Sequence, residues 1–276
     1  MSQSEKSSID PTVGQKLDRC RDILRSLGGV VAAVSGGVDS SLLLALAVEV
    51  LGKENVLAAT ATGLMHSAEE TRAAQSLADS LGVERVEIDM TFLADRRVLD
   101  NPPDRCYWCK RLLFGQLVEL AQRRGLAAVA SGSNADDAGE HRPGARAEDE
   151  LDIARPLRDA GLTKADIRQA AREMGLASWD RPSRACLASR VPYGRPLDVE
   201  ILRRIEAVES ALLAMGFTQF RCRDHDTVAR IEIPADEIPL AIHRRDEIFR
   251  AAKAAGYVYA ALDLKGFRSG SMDEVQ

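Results

Sequence analysis

Residues 30–51 read VVAAVSGGVDSSLLLALAVEVL: a short apolar run, a glycine pair flanked by serines, then a longer apolar run. VVAAV is too short for a helix and has no polar alternation. That is the pattern of a strand buried on both faces of a parallel sheet. The second run has helical length, and Gly36-Gly37 allows the tight turn between the two. A strand–loop–helix unit of this kind cannot bury its apolar surface alone. The rest of the chain has to supply parallel strands beside it and helices over it.

Further strands read from NVLAATAT, VERVEIDM and LAAVASG, with LDIARPL as a fifth. Helical patterns cover about 13–27, 67–81, 105–124 and 163–175. Gly28-Gly29 ends the first, Thr163 caps the last, and Gly175 stops it. This alternation, with right-handed crossovers, predicts an α/β fold with a doubly wound parallel sheet. Ligands in such sheets bind outside the carboxyl ends of the strands. The pattern changes after about Pro192. An amphipathic helix, LDVEILRRIEAVESALLAMG, precedes strands QFRCRDH and TVARIEI, a helix over 235–255 and a last strand, YVYAALDL. The order predicts a small C-terminal α+β domain. The expected domains are 13–192 and 193–276, the second for substrate binding and homo-oligomer formation. Residues 1–12 read as a disordered lead.

The net charge of −5 argues against a general electrostatic hold on nucleic acid. The opening MSQSEKSSIDPTVGQKL has no apolar signal core, and no apolar stretch approaches transmembrane length. A cytoplasmic protein without membrane or nucleic-acid partners is expected. Its five cysteines, Cys20, Cys106, Cys109, Cys186 and Cys222, are then thiols, metal ligands or reactants rather than disulfides.

Ser35-Gly36-Gly37-Val38-Asp39-Ser40 has the makings of a phosphate site. Loop amides and a helix N-terminus face an anion, and Ser35 and Ser40 add hydroxyl donors. A carboxylate beside an anion needs a cation, which Mg²⁺ bound to ATP supplies at Asp39. No Gly-Lys-Ser/Thr follows, so this is not a Walker A loop. An ordinary glycine turn is the bland alternative, and the strand–loop–helix setting argues against it. SGGVDS resembles the PP-loop of the ATP pyrophosphatase superfamily, whose fold is adenine nucleotide alpha hydrolase-like, over roughly residues 28–180. The resemblance implies ATP cleavage between the α and β phosphates, adenylation of a substrate oxygen and displacement of AMP by a nucleophile. It also implies that the end of the second strand, Thr60 to Gly63 including Thr62, holds adenine. Gly132 to Asp137 (GSNADD) would add nucleotide contacts.

Cys106 and Cys109 are spaced i, i+3 in DRCYWCK, on one face of a helix start where the dipole favours thiolate. Cys186 lies in RPSRACLASRVPYG, which reads as a loop. A redox dithiol or free thiols, half of a zinc site, and a three-cysteine iron–sulfur cluster with one open iron all remain open readings. Cys20 and Cys222 read as structural.

PSRACLASRVPYG and the closing DLKGFRSG, Asp263 to Gly270, resemble the signatures of the LarE family of pyridinium-3,5-biscarboxylic acid mononucleotide sulfurtransferases. These enzymes act in nickel-pincer nucleotide cofactor biosynthesis. The resemblance spans nearly the whole chain and implies that Cys186 is the sulfur-bearing position. Members with that cysteine alone sacrifice its sulfur. Members that also carry a CxxC hold a [4Fe-4S] cluster on three cysteines, here Cys106, Cys109 and Cys186. Lys110, beside Cys109, is expected to stabilise charge on the ATP phosphates. The family's substrate is a small anionic nucleotide with two carboxylates and a phosphate. Candidate clamps are Arg221 and Arg223, alternating on one strand face, with Arg190 and with Arg268 in the GFRSG turn. A solvated pair is the bland reading of Arg221 and Arg223. Glu209 is a weaker candidate and reads as a helix-surface charge. The source of sulfide is not legible. Rival readings are a tRNA thiolase with the same loop and cluster cysteines, an ammonia-using amidating ligase that leaves the cysteines idle, and an ATP-sensing module.

Overall fold

A computed structural model of the chain describes residues 11–90, 95–139, 143–182, 184–268 and 271. Most of the expected disordered lead, Ser183 of the PSRACLASR segment, and Ser269-Gly270 of the GFRSG turn lie outside the described residues. In chain order the elements are α1 (Pro11–Leu27), β1 (Val30–Ala33), α2 (Val38–Leu51), β2 (Val56–Thr62), α3 (Ala68–Leu81) and β3 (Arg85–Asp89). There follow α4 (Arg96–Leu99), α5 (Arg105–Arg124), β4 (Ala128–Ala130), α6 (Pro143–Glu150), α7 (Pro156–Asp159) and α8 (Lys164–Glu173). The last are α9 (Val199–Ala214), β5 (Arg221–His225), β6 (Val228–Glu232), α10 (Ile238–His243), α11 (Arg245–Ala254) and β7 (Tyr259–Leu262). Among the described residues no helix is long and apolar enough to cross a membrane.

The chain divides into two compact units. One takes in residues up to Gly63, Ala68–Met90 and Cys106–Ser183; the other takes in Leu64–Ser67, Thr91–Arg105 and the chain from Arg184 onward. The division falls ahead of the expected boundary at 192/193, and two short segments of the first half belong to the second unit.

The first unit holds a four-stranded parallel sheet in the order β3-β2-β1-β4. In β1, Val31 stands opposite Leu57 of β2 and Val129 of β4. α2 is apolar all round, and Leu42, Leu43, Leu44 and Leu46 are fully buried, as befits a helix enclosed by its neighbours. α8 carries the expected cap: Thr163 accepts from the Asp166 amide while the Asp166 side chain accepts from the Thr163 amide. Strand order reverses between β1 and β4, so a crevice opens at their carboxyl ends.

LDIARPL does not form the expected fifth strand. It makes a single parallel bridge, Ala130 to Ala154, because Pro156 has no amide to extend the ladder and instead opens α7.

The second unit holds the sheet β5-β6-β7, with β5 and β6 antiparallel and β6 and β7 parallel. α9 starts at the Asp198 cap and buries Leu202, Ile205, Val208 and Leu212. The helix expected over 235–255 is broken. Pro239 stands in the first turn of α10, and Arg244 leaves helical geometry (φ −94°, ψ 14°) before α11 begins.

Candidate active site

The glycine loop lies at the reversal point of the first unit's sheet. Gly36 has φ +82°, and a Cβ there would strike the Glu70 carbonyl. At the end of β4, a Cβ on Gly132 would stand 2.8 Å from the Ser40 amide nitrogen and 3.0 Å from its Cα. Only glycine lets that strand end lie directly against the loop. The serines tie the loop together. The Ser35 amide donates to the Ser40 hydroxyl at 3.1 Å, and the Ser40 and Ser41 hydroxyls lie 3.1 and 2.8 Å from the Gly37 carbonyl. These bonds hold the shape of the loop from within.

Ser35, Asp39, Ser40, Gly132 and Lys110 line one cavity of about 370 Å³, joined by Asp136, Asp137, Glu148 and Lys164. Asp39 receives the Lys164 ammonium on Oδ2 at 2.5 Å, while Oδ1 is buried without a hydrogen-bond partner among the described residues. Burial raises the Asp39 carboxyl above its ordinary value, and Lys164 opposes the rise only in part. Lys110 donates to Glu148 at 2.8 Å, and the buried Glu148 also accepts from the Ser133 hydroxyl. Thr62 lies at the end of β2, its hydroxyl 3.4 Å from the Ile88 carbonyl, and does not line this cavity. Next to it is Gly63 (φ +124°), where an added Cβ would stand 3.0 Å from the Met90 carbonyl oxygen.

Cys106 and Cys109 lie at the start of α5, the first exposed and the second partly so. Cys186 is partly exposed in the second unit, where it caps a short 3₁₀ turn over Leu187–Arg190 inside the segment expected to be a loop. Cys20 and Cys222 are fully buried, and burial pushes the Cys20 thiol up to about 12 and the Cys222 thiol higher still. Among the described residues no three His, Cys, Asp or Glu side chains form a group that could hold a metal ion.

Of the candidate clamps in the second unit, Arg190, Arg221 and Arg223 are buried rather than solvated, while Arg268 is partly exposed. Arg190 is 1% exposed and makes two 2.9 Å bonds to Glu209, itself 6% exposed. Glu209 is thus a core charge rather than a helix-surface one. The stripe Ile205, Val208, Leu212 turns it inward. Arg223 pairs with Glu232 at 2.9 Å and donates to the Ser189 carbonyl and the Ser271 hydroxyl. Arg221 lies over the Phe267 ring at 4.9 Å and donates to the Phe220 carbonyl. Burial, with Arg190, Arg223 and Arg184 nearby and Glu209 opposing, pushes the Arg221 guanidinium down to about 10. Arg268 lies 3.6 Å from Asp263.

The family model described as NAD synthase matches residues 17–97. The pyridinium-3,5-bisthiocarboxylic acid mononucleotide synthase of Lactiplantibacillus plantarum is 36% identical over 251 residues, 91% of each chain. The chain belongs to the LarE family. Other relatives are an uncharacterised protein of Synechocystis sp., 35% identical over 94% of this chain and 97% of its own, and one of Methanocaldococcus jannaschii, 29% identical over 87% and 91%.

Ser35, Asp39, Ser40, Gly132 and Lys110 of this LarE-family chain share their cavity with two charged side chains that the sequence does not single out. Lys164 and Glu148 come from α8 and α6, far from the loop in sequence. Lys164 left a signal: a lysine in the first turn of a capped helix opposes the helix dipole and calls for a partner. Glu148 left none. Arg190 and Glu209, both expected at the substrate, bind each other.

Proposed function

We propose that this chain adenylates a carboxylate of an anionic pyridinium mononucleotide with Mg-ATP, then replaces the adenylate by sulfur, releasing pyrophosphate and AMP. The observation that carries the reading is the SGGVDS loop at the sheet's reversal point, with the half-satisfied Asp39 beside it. That orphaned oxygen fits a cation. Mg²⁺ held by Asp39 would neutralise charge on the phosphates, with Lys164 and Lys110 adding to it. The substrate carboxylate oxygen attacks the α-phosphorus, and the bond to the bridging oxygen breaks to release pyrophosphate. A sulfur nucleophile then adds to the acyl carbon, and the carbon–oxygen bond to AMP breaks. Among the candidate clamps Arg268 keeps the most exposed surface and would meet the substrate's phosphate or second carboxylate.

For the sulfur, Cys106, Cys109 and Cys186 are the donors of the right chemistry: each is reachable by solvent, whereas Cys20 and Cys222 are sealed. These three would hold a [4Fe-4S] cluster, which supplies an open iron able to carry sulfide.

Incubation with Mg-ATP, sulfide and the biscarboxylate mononucleotide is expected to yield AMP and pyrophosphate in equal amounts and sulfur in the product. Absence of AMP with that substrate overturns the reading. The loop itself is tested by Gly132→Ala. Its Cβ would press on the Ser40 backbone, so a loss of about 1–3 kcal/mol in stability and a clear loss of ATP affinity are expected. Calorimetry that finds ATP affinity and Tm both unchanged would show that this contact does not shape the loop.

A further inference from the structure

Arg190 does more than neutralise Glu209. Its Nη1 donates to the Ala185 carbonyl at 2.5 Å, to the Cys186 carbonyl at 3.0 Å and lies 3.0 Å from the Ser189 hydroxyl. Two carbonyls and a hydroxyl of one short turn thus gather around a single nitrogen and share its two hydrogens. The other side of the guanidinium is locked. Nε and Nη2 each meet one Glu209 oxygen, and Oε1 of Glu209 also accepts the Cys222 amide of β5 at 2.9 Å. The Cys186 carbonyl further accepts the Ser189 amide, and the Leu187 amide donates to the Met65 carbonyl. The main chain around Cys186 is held on both sides while its side chain stays partly exposed.

We propose that Glu209 is a positioning residue for Cys186: through Arg190 it fixes the main chain from Ala185 to Ser189 and so the direction in which the thiol is presented. The inference rests on the reading of Cys186 as a residue of sulfur transfer. Two observations favour it over a substrate clamp or a purely structural pair. Arg190 is 1% and Glu209 6% exposed, and their polar atoms are already committed to each other and to the turn. An apolar pair of similar volume would serve stability as well as a buried ion pair, whereas it could not hold the two carbonyls and the hydroxyl in a fixed geometry.

The test uses the full chain and two variants: Glu209→Gln, and the paired Arg190→Met with Glu209→Leu. The pair removes both charges and keeps volume, so the outcome does not hang on one orphaned guanidinium. Three quantities are measured: ATP–pyrophosphate exchange, sulfur-transfer kcat and KM, and the iodoacetamide labelling rate of Cys186 mapped by peptide mass against Cys106. Exchange is expected to stay within about twofold. The kcat for transfer is expected to fall on the order of a hundredfold with KM unchanged, since a misdirected nucleophile loses alignment rather than affinity. Cys186 labelling is expected to rise about tenfold over the Cys106 reference as its main chain is released. Unchanged labelling of Cys186 in both variants overturns the proposal. So does a rise in KM at constant kcat, which would return Arg190 and Glu209 to the substrate. Sulfur transfer that persists in Cys186→Ala overturns the functional reading instead, and it does so whatever the labelling shows.

Discussion

Asp39→Asn is expected to abolish AMP formation while leaving the chain as stable as before, or more so. The two halves of this result have separate causes. The amide would keep the shape of the side chain and one oxygen but lose the negative charge that would hold Mg²⁺ against the phosphates. Removing a preorganised electrostatic contact of this kind costs at least about 10²–10³ in rate. Stability moves the other way because burial raises the carboxyl's proton affinity in the folded chain. A folded-state value above the unfolded one means that folding is favoured by the protonated form. The contribution is fully present below the unfolded value and is lost as pH rises through the folded one. At neutral pH the ionised Asp39 therefore works against the fold, and the neutral amide removes that cost. Lys164 loses its partner but keeps enough exposure, 31%, to be hydrated. Thermal unfolding at pH 7 and AMP release measured on the same preparation check both halves. Full AMP production by Asp39→Asn would remove the carboxylate from the mechanism. A Tm lowered by many degrees would make Asp39 a structural residue.

The loop was readable because its determinants are local: a buried run of four or five residues, two glycines, a capable helix. The same holds for the α8 cap, whose donors and acceptors lie three residues apart. What sequence could not place is what tertiary packing brings together. Lys164 reaches Asp39 across 125 positions, and Glu148 reaches Lys110 across 38. Glu209 is an intermediate case. Its charge suggests the surface, yet it lies four residues after Ile205 and three before Leu212, on the buried stripe of α9. Periodicity outvotes charge there because Arg190 is available as a buried partner. The long helix over 235–255 failed for the opposite reason. Its apolar period runs on across Arg244, and the sequence pattern does not register that the backbone turns there. Arg221 and Arg223 were placed correctly on one strand, but alternation alone could not say that both faces of β5 are buried.

Replacing Cys106, Cys109 or Cys186 by alanine is expected to strip iron from anaerobically prepared protein and to stop sulfur transfer, while ATP–pyrophosphate exchange survives. Cys20→Ala and Cys222→Ala are expected to keep both iron and transfer. These two thiols are buried at 0% exposure, and burial raises both above the ordinary thiol range, so neither is open to iron or sulfide. The contrast separates two origins for the transferred sulfur. If the three reachable cysteines serve only as ligands, no sulfur leaves the polypeptide, and transfer continues over many turnovers when sulfide is supplied. The intact mass is then the same before and after reaction. If Cys186 instead gives up its own sulfur, each chain turns over once. The protein becomes lighter by one H₂S at that residue, and Cys106 and Cys109 are dispensable. Under the proposed function, the CxxC that accompanies Cys186 in the sequence favours the first outcome. Two solvent-reachable thiols at one helix start have no task in a reaction that consumes only Cys186. Intact-mass spectrometry after a single turnover, read beside the iron content, decides the matter. Stoichiometric loss at Cys186 with full activity in Cys106→Ala would sink the cluster reading, and an unchanged mass with iron-dependent multiple turnover would sink the sacrificial one.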